Sequence, residues 1–410
     1  MKQNTTSAAL TRLSEAYIRL VLLVGGHDGD YVDAYYGPDS LKEEKLPLET
    51  IRKRAAGAIA ELKMLSPTRM DGMVRLRHMY LLRQLQSLVA RVDLLGGKTM
   101  TFDEESQSLY DATAPTHTEE HFKEILAELG SALPGKGSVP ERFEAYRTGF
   151  VVPPDKLDRV FTAAVEESRK RTAARITLPE GENFTVEYVT GKSWSGYNWF
   201  KGNLHSLIQV NTDLPITVDR AVDLASHEGY PGHHVYNSLL ETHLVRGRKW
   251  MEFTVYPLFS PQSLIAEGTA NFGIEMAFPG EERVEFERDV LFPLAGFPGS
   301  GAAEYYRIHG LFLKLAYAGN EAARKYLDGE CTRENAVEYL MSYALMSRDR
   351  ALQRTMFFDK YRSYVINYNL GQDMVKRYIE SAGGVPRKPD LRWKIFEELI
   401  SSPRLPSGLL

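Results

Sequence analysis

Cysteine is nearly absent: Cys331 is the only one in 410 residues. An internal disulfide framework is therefore excluded, and the chain suits a reducing compartment. Long apolar runs are missing as well. A membrane helix needs about 20 mostly apolar residues, whereas the run from Tyr17 to Gly25 is short and carries Arg19. It also lacks the charged, apolar, small-residue order of a secretory signal. Neither sign of charge dominates, with 50 Lys and Arg against 54 Asp and Glu and a net charge of -4. That balance gives no basic footprint for nucleic acid. The expectation is a cytoplasmic protein without nucleic-acid or membrane partners, and nothing in the residues fixes its oligomeric state.

Strand signals are scarce, and no internal repeat or low-complexity tract occurs. Residues 183–190 alternate polar and apolar, and residues 203–211 are short and apolar enough for a second strand. Most of the remainder has helical periodicity, near residues 8–24, 41–64, 117–131, 153–173, 301–318, 333–347 and 353–380. Met73, Leu76, Met79, Leu82, Leu85, Val89 and Val92 form an apolar stripe that stops at Gly96-Gly97, which reads as core packing. The clearest break is the Pro- and Gly-rich segment 134–140. It separates an N-terminal helical lobe, 1–133, from a larger lobe, 141–410, with a small sheet, the motif helix and the C-terminal helices. The expected fold class is mostly α with a small β-sheet, two lobes enclosing a deep cleft.

What the chain does have is one dense patch of chemistry. Residues 226–234 read Ser-His-Glu-Gly-Tyr-Pro-Gly-His-His, so three of only ten histidines fall beside one carboxylate. Neutral imidazole is the commonest metal ligand, and hydrolytic zinc sites keep a general base next to the first histidine. In the pattern H-E-x-x-H, two histidines one turn apart reach the same ion. Here His233 follows His227 by six residues and His234 by seven, and neither spacing works on a straight helix. Pro231 and Gly232 break that straightness, so a bulge over Tyr230–Gly232 turns one of them back toward His227. The bland alternative is a helix that stops at Pro-Gly with histidines merely nearby.

A third ligand is available downstream. Ser260-Pro261 reads as a cap with proline in the first turn. The helix that follows has no Lys, Arg or Asp from Leu264 to Phe278, yet it carries Glu267 and Glu275. A buried bare carboxylate is costly, and a metal ion is one remedy. Asn271, one turn beyond Glu267, is placed to hold a ligand from outside the coordination sphere. A competing pattern, His117-Thr-Glu-Glu-His121, fits an inverted zinc motif. It sits at a helix start, where Thr116 and Glu119 read as a capping box and the helix dipole disfavours a cation. It is taken as a solvated face.

With these residues in place, the chain resembles domain-of-unknown-function family 885, whose motif is His-Glu-x-x-Pro-Gly-His-His with a later Glu-Gly helix. The likeness extends to Lys201-Gly-Asn203, to the stretch from Ile208 to Pro215, and to Tyr368-Asn-Leu-Gly371-Gln372. Thr269, where the family often has Trp, and Asn271 depart from it. The resemblance implies a zincin-like fold and a zinc-dependent peptidase with one Zn2+ ion, another divalent metal being an option.

The chemistry then assigns His227, His233 and Glu267 as ligands, with His234 as the alternative second histidine or a hydrogen-bonding neighbour. Glu228 is the general base toward an ion-activated water. Tyr364 and Tyr368 are candidate donors to the developing oxyanion. Weaker candidates for substrate contact are Asn203, on a strand edge that a peptide could extend, and Arg350 among Arg348, Arg350 and Arg354, for a substrate carboxylate. The aromatic run 194–200 is a candidate cleft lining. The partner expected is a peptide or small amide. Two other classes compete: a hydrolase of non-peptide amides or esters, and a helical binding protein with a structural metal. A structural site needs a fourth protein ligand, for which His234 or Glu275 would serve.

Overall fold

Local capping chemistry sets many of the helix boundaries. Asp71 accepts a hydrogen bond from Val74 N at 2.9 Å and starts the helix Gly72–Leu95. Gly97 ends it with φ of +93°, which suits glycine. Thr101, Ser138 and Thr332 make capping boxes for the helices Phe102–Tyr110, Val139–Thr148 and Arg333–Tyr343. At Glu119–Ala132 the cap is Thr118, whose side chain accepts from His121 N, and not the expected Thr116.

A computed structural model describes residues 2–67, 70–192, 194–213 and 215–410. Leu214, in the stretch that carries the family resemblance, lies outside them. The protein is mostly α-helical with two small sheets. One sheet pairs β1 (Val32–Tyr35) with β5 (Val255–Pro257) antiparallel. The other has the order β2-β4-β3: β2 (Asn183–Val189) runs parallel to β4 (His205–Asn211), and β3 (Gly196–Gly202) runs antiparallel to β4. Asn203 and Leu204, with φ of 54° and 60°, make the tight turn between β3 and β4. The strand expected over 203–211 is therefore the middle one. Both its edges are occupied, so no peptide can add to it. Residues 196–200 of the aromatic run expected to line a cleft belong to β3; Trp194 and Tyr197 face the cleft, while Phe200 is buried against Tyr36.

The largest core runs from Leu10 to Leu409 and draws on residues from both sides of the 134–140 segment. A smaller one gathers Val152, Phe161, Val210, Leu224, Phe292 and Tyr305. The stripe on Gly72–Leu95 is rotated from its expected position. Met79 is 39% exposed, while Arg77 and His78 are buried. Arg77 can turn inward because Glu252 receives its Nε at 2.5 Å and its Nη2 at 2.9 Å, and its guanidinium stacks on Trp250.

Two further expectations are corrected. The helix expected over 301–318 ends at Leu313, and a separate helix, Ala318–Leu327, follows it. The 353–380 helix is two, Arg348–Tyr361 and Ile366–Ser381, joined by a 3-10 turn at Arg362–Val365. Buried Glu105 holds that joint: it takes the Ser363 backbone N–H at 3.1 Å, the Ser363 hydroxyl at 2.6 Å and the Arg362 guanidinium.

The helix Pro261–Ala277 is the structural centre, and Ile366–Ser381 packs along it. Their backbones touch at Gly268 and Gly371, where a Cβ on Gly268 would stand 2.5 Å from the Gly371 carbonyl. Only a glycine pair allows that approach. Among the described residues no helix is long and apolar enough to cross a membrane.

Candidate metal centre

The His-Glu motif leaves helical geometry in two steps. The α-helix Val218–Leu224 widens into a π-helical turn at Ala225–Gly229, so the bulge begins before the proline. The chain then breaks at Tyr230–Gly232 and resumes as the helix His233–Leu240. Gly232 N–H donates to Ser226 O at 2.9 Å, and a Cβ on Gly232 would lie 1.9 Å from His227 O. Any side chain there would push the second helix away. The doubling-back brings His233 Nε2 to 3.1 Å from His227 Nε2.

The third member comes from Pro261–Ala277. Glu267 Oε2 faces His227 Nε2 at 3.3 Å and His233 Nε2 at 3.8 Å. Ligands at about 2.0–2.1 Å around a tetrahedral zinc stand roughly 3.3 Å apart, so these separations fit a shared cation. Among the described residues this is the one group of three or more His, Cys, Asp or Glu side chains whose ligand atoms converge, all within 4.8 Å.

Two further features fit a cation. Glu267 Oε2 is buried and makes no hydrogen bond of good geometry. The two Nε2 atoms face each other, and two imidazole lone pairs repel unless a proton or a metal lies between them. Asn271 Oδ1 stands 2.9 Å from His227 Nδ1, and its amide donates to Tyr368 O at 3.0 Å. With the amide committed as donor, Oδ1 accepts a proton from Nδ1 and frees Nε2 as the ligand atom. The sequence left Asn271 open between the carboxylate and a histidine, and the structure sets it against His227.

Protonation is unequal across the group. Burial pulls His233 down to about 4. Burial acts the same way on His227, but Glu267 and Glu228 hold it above its ordinary value. Burial pushes Glu267 up, and His227, His233 and Tyr364 together keep it below the usual glutamate value. Glu228 is raised to about 7, chiefly by burial and also by Glu267. Its backbone carbonyl accepts from Asn198 Nδ2 at 2.7 Å, and its Oε1 lies close over Gly196 of β3.

The remaining candidates separate clearly. His234 is fully buried and turned the other way: Nδ1 meets Ser206 Oγ at 2.8 Å and Nε2 meets Glu182 Oε2 at 2.8 Å. It reaches no ion held by His227. Glu275 is taken by Arg392 at 2.6 Å and Lys376 at 3.2 Å, which excludes it as a fourth ligand. Tyr364 hydroxyl donates to Glu267 Oε1 at 2.8 Å, so it holds a ligand and is not a free donor. Tyr368, its ring 5.8 Å from that of Tyr364, lines the cleft. Asn203 sits exposed in the β3–β4 turn, away from the cleft. Arg350 lines the cleft, and Arg348 is paired with Glu334 at the surface. His117 and His121 stack on each other at 4.9 Å, and the His117 backbone N–H donates to Glu321.

The cleft holds about 640 Å3 and is bounded by the motif, both tyrosines, Trp194, Tyr197 and Arg354. Sequence reasoning missed Asp33 on β1, which faces the cleft, accepts a hydrogen bond from Tyr197 and is raised to about 7 by burial and the nearby Glu267 and Glu228. It also missed His309, beside Asp219 at 3.8 Å on the same wall. Neither has a neighbour in sequence that could have signalled it.

No protein-family model matches the chain, and no curated protein matches it. Several solved structures are similar, two of them as follows. One, described as a putative lipoprotein from Colwellia psychrerythraea, is 16% identical with a TM-score of 0.56, covering 90% of this chain and 70% of that one. The other, described as a putative lipoprotein of unknown function from Shewanella oneidensis, is 11% identical with a TM-score of 0.49, covering 88% and 72%. The first likeness is one of fold alone.

Proposed function

We propose that this protein is a zinc-dependent peptidase of the zincin-like kind, akin to domain-of-unknown-function family 885, with a cleft built almost wholly from the segment 141–410 and Asp33 as the contribution of 1–133. The observation that carries the reading is the convergence of His227 Nε2, His233 Nε2 and Glu267 Oε2, with Glu228 adjacent. When bound, a zinc ion supplies Lewis-acid polarisation and lowers the pKa of water at an open position.

The chain's own residues supply the rest. Asn271 fixes the tautomer of His227, and Tyr364 steadies Glu267. Glu228, poised near neutrality, takes a proton from the attacking water and returns it to the leaving amine. Burial raises the Tyr368 hydroxyl well above its usual pKa, so it stays protonated and donates to the oxyanion of the tetrahedral intermediate. Water adds to the carbonyl carbon, the C–N bond breaks, and an acid and an amine leave. With His234 and Glu275 committed elsewhere, three protein ligands remain, which favours a catalytic over a structural metal.

The test is metal content of protein purified without chelator or histidine tag. One equivalent of zinc is expected in wild type, kept in His121→Ala and Glu275→Ala and lost in Glu267→Ala. Peptide hydrolysis should fall by roughly 100-fold or more in Glu228→Gln while zinc is retained. No metal in wild type even after zinc is added would overturn the reading.

A further inference from the structure

Arg354 is a half-buried cation without a carboxylate partner. It lies on the helix Arg348–Tyr361 and lines the same cleft as the His227, His233 and Glu267 group. Its Nε is shut off from water and has no hydrogen-bond partner, and among the described residues no carboxylate pairs with it. Its guanidinium is instead supported by the rings of Phe357 and Phe358, at 4.6 and 5.6 Å. Burial lowers its pKa, and of its neighbours only the Tyr368 phenol works against that effect. A guanidinium in this state is expensive to bury unless an anion arrives from outside.

Its place relative to the centre is fixed by Tyr368, whose hydroxyl is within electrostatic reach of Glu267, Glu228 and Arg354 alike. Arg350 and Arg147 also line the cleft; burial and Arg147 disfavour the charge on Arg350, and Glu144 works against them. Fully buried arginines elsewhere are matched, as Arg77 is by Glu252. The cleft thus carries acidic groups at the motif and arginines on its wall, of which Arg354 has no carboxylate partner among the described residues.

We propose that Arg354 binds the C-terminal carboxylate of a peptide substrate, so that cleavage falls near the peptide's C-terminus. This rests on the peptidase reading for the reaction, though not for the binding. A planar guanidinium held by two phenyl rings presents parallel N–H groups to a carboxylate, which a backbone amide cannot accept in the same way. With that carboxylate held at Arg354, the interior amides of the peptide extend along the cleft toward the motif.

Binding is measured by calorimetry on the Glu228→Gln protein as purified, which does not turn substrate over. The probes are N-acetyl-Ala-Phe-Leu, its C-terminal amide, and N-acetyl-Ala-Phe-Glu amide. The acid should bind roughly 10- to 100-fold more tightly than either amide, the range of a charge-assisted hydrogen bond. Adding Arg354→Met should bring the acid down to the amide, and Arg354→Lys, which keeps charge and loses the fork, should fall between them. Equal binding of acid and amide, no binding of any probe, or a preference that survives both Arg354 variants overturns the assignment. Binding of the Glu-containing amide as tightly as the acid overturns it too, because a side-chain carboxylate would then serve. If the acid is preferred through Arg354 while zinc-loaded wild type cleaves nothing, the carboxylate site stands and the peptidase reading fails.

Discussion

Glu267 and Glu275 lie about two turns apart on one apolar helix, and they have opposite surroundings. Glu275 is closed by two cations, Arg392 and Lys376. Glu267 is more deeply buried, and among the described residues no lysine or arginine pairs with it; one oxygen takes the Tyr364 hydroxyl and the other faces two imidazoles. Two other buried glutamates are closed in the way Glu275 is. Glu252 has Arg77 and the Ser14 hydroxyl, and Glu182 has His234, Tyr230 and Arg169. A carboxylate with a built-in cation stabilises the fold, whereas one facing only neutral donors and lone pairs is left with a charge to share. The contrast, more than the presence of histidines, is what supports the proposed role of Glu267.

If the contrast is right, removing the carboxylate should cost most where its cation is buried with it. Glu252→Ala would strand Arg77, whose side chain is 3% exposed. A loss of about 3–5 kcal/mol is expected, read as a lower urea midpoint at unchanged slope. A loss below about 1 kcal/mol would show that the pair contributes little and would blur the distinction from Glu267.

A smaller effect is expected at Glu182, where the partners are a tyrosine, an imidazole and a half-exposed arginine. Burial pushes its carboxyl up, but these three groups together hold it below the usual value of 4.5. A depressed folded pKa stabilises the native state above the unfolded pKa and loses that contribution as pH falls. Glu182→Gln should therefore cost about 1.5–3 kcal/mol near pH 7, and the gap from wild type should narrow below about pH 4.5. A gap that widens on acidification would mean the carboxyl is held neutral.

How much of this was legible in the sequence depends on how far apart the partners lie. His227, Glu228 and His233 were readable because Pro231 and Gly232 signal a break within the motif, although the π turn at Ala225–Gly229 was not signalled by any residue type. Asn271 was readable because it lies one turn from Glu267. The fate of Glu275 was not, since its cations come from Lys376 and Arg392, about a hundred residues on. His234 could not be assigned because its partners Glu182 and Ser206 lie 52 and 28 residues earlier in the chain. The 353–380 segment was misjudged because Glu105, from an early helix, breaks it at Arg362, and that break sets Tyr364 and Tyr368 against the cleft. Mostly α with small sheets was within reach of periodicity; the order β2-β4-β3, which encloses the strand first read as an edge, was not.

The finest test falls on Asn271, because it acts on Glu267's partner and not on Glu267. Its Oδ1 sets the tautomer of His227, and its amide is anchored on Tyr368 O. Asn271→Ala leaves Glu267, His227 and His233 in place and removes only the group that orients one imidazole. Zinc affinity, measured by competition with a chromogenic chelator, should fall roughly 10- to 100-fold. Asn271→Asp keeps the acceptor and should retain most of the affinity despite losing the bond to Tyr368. An unchanged affinity in Asn271→Ala would mean that burial alone orients His227. If Asn271→Asp fell as far as alanine, the anchor on Tyr368 would matter more than the acceptor, and the helix Ile366–Ser381 would be what holds the centre together.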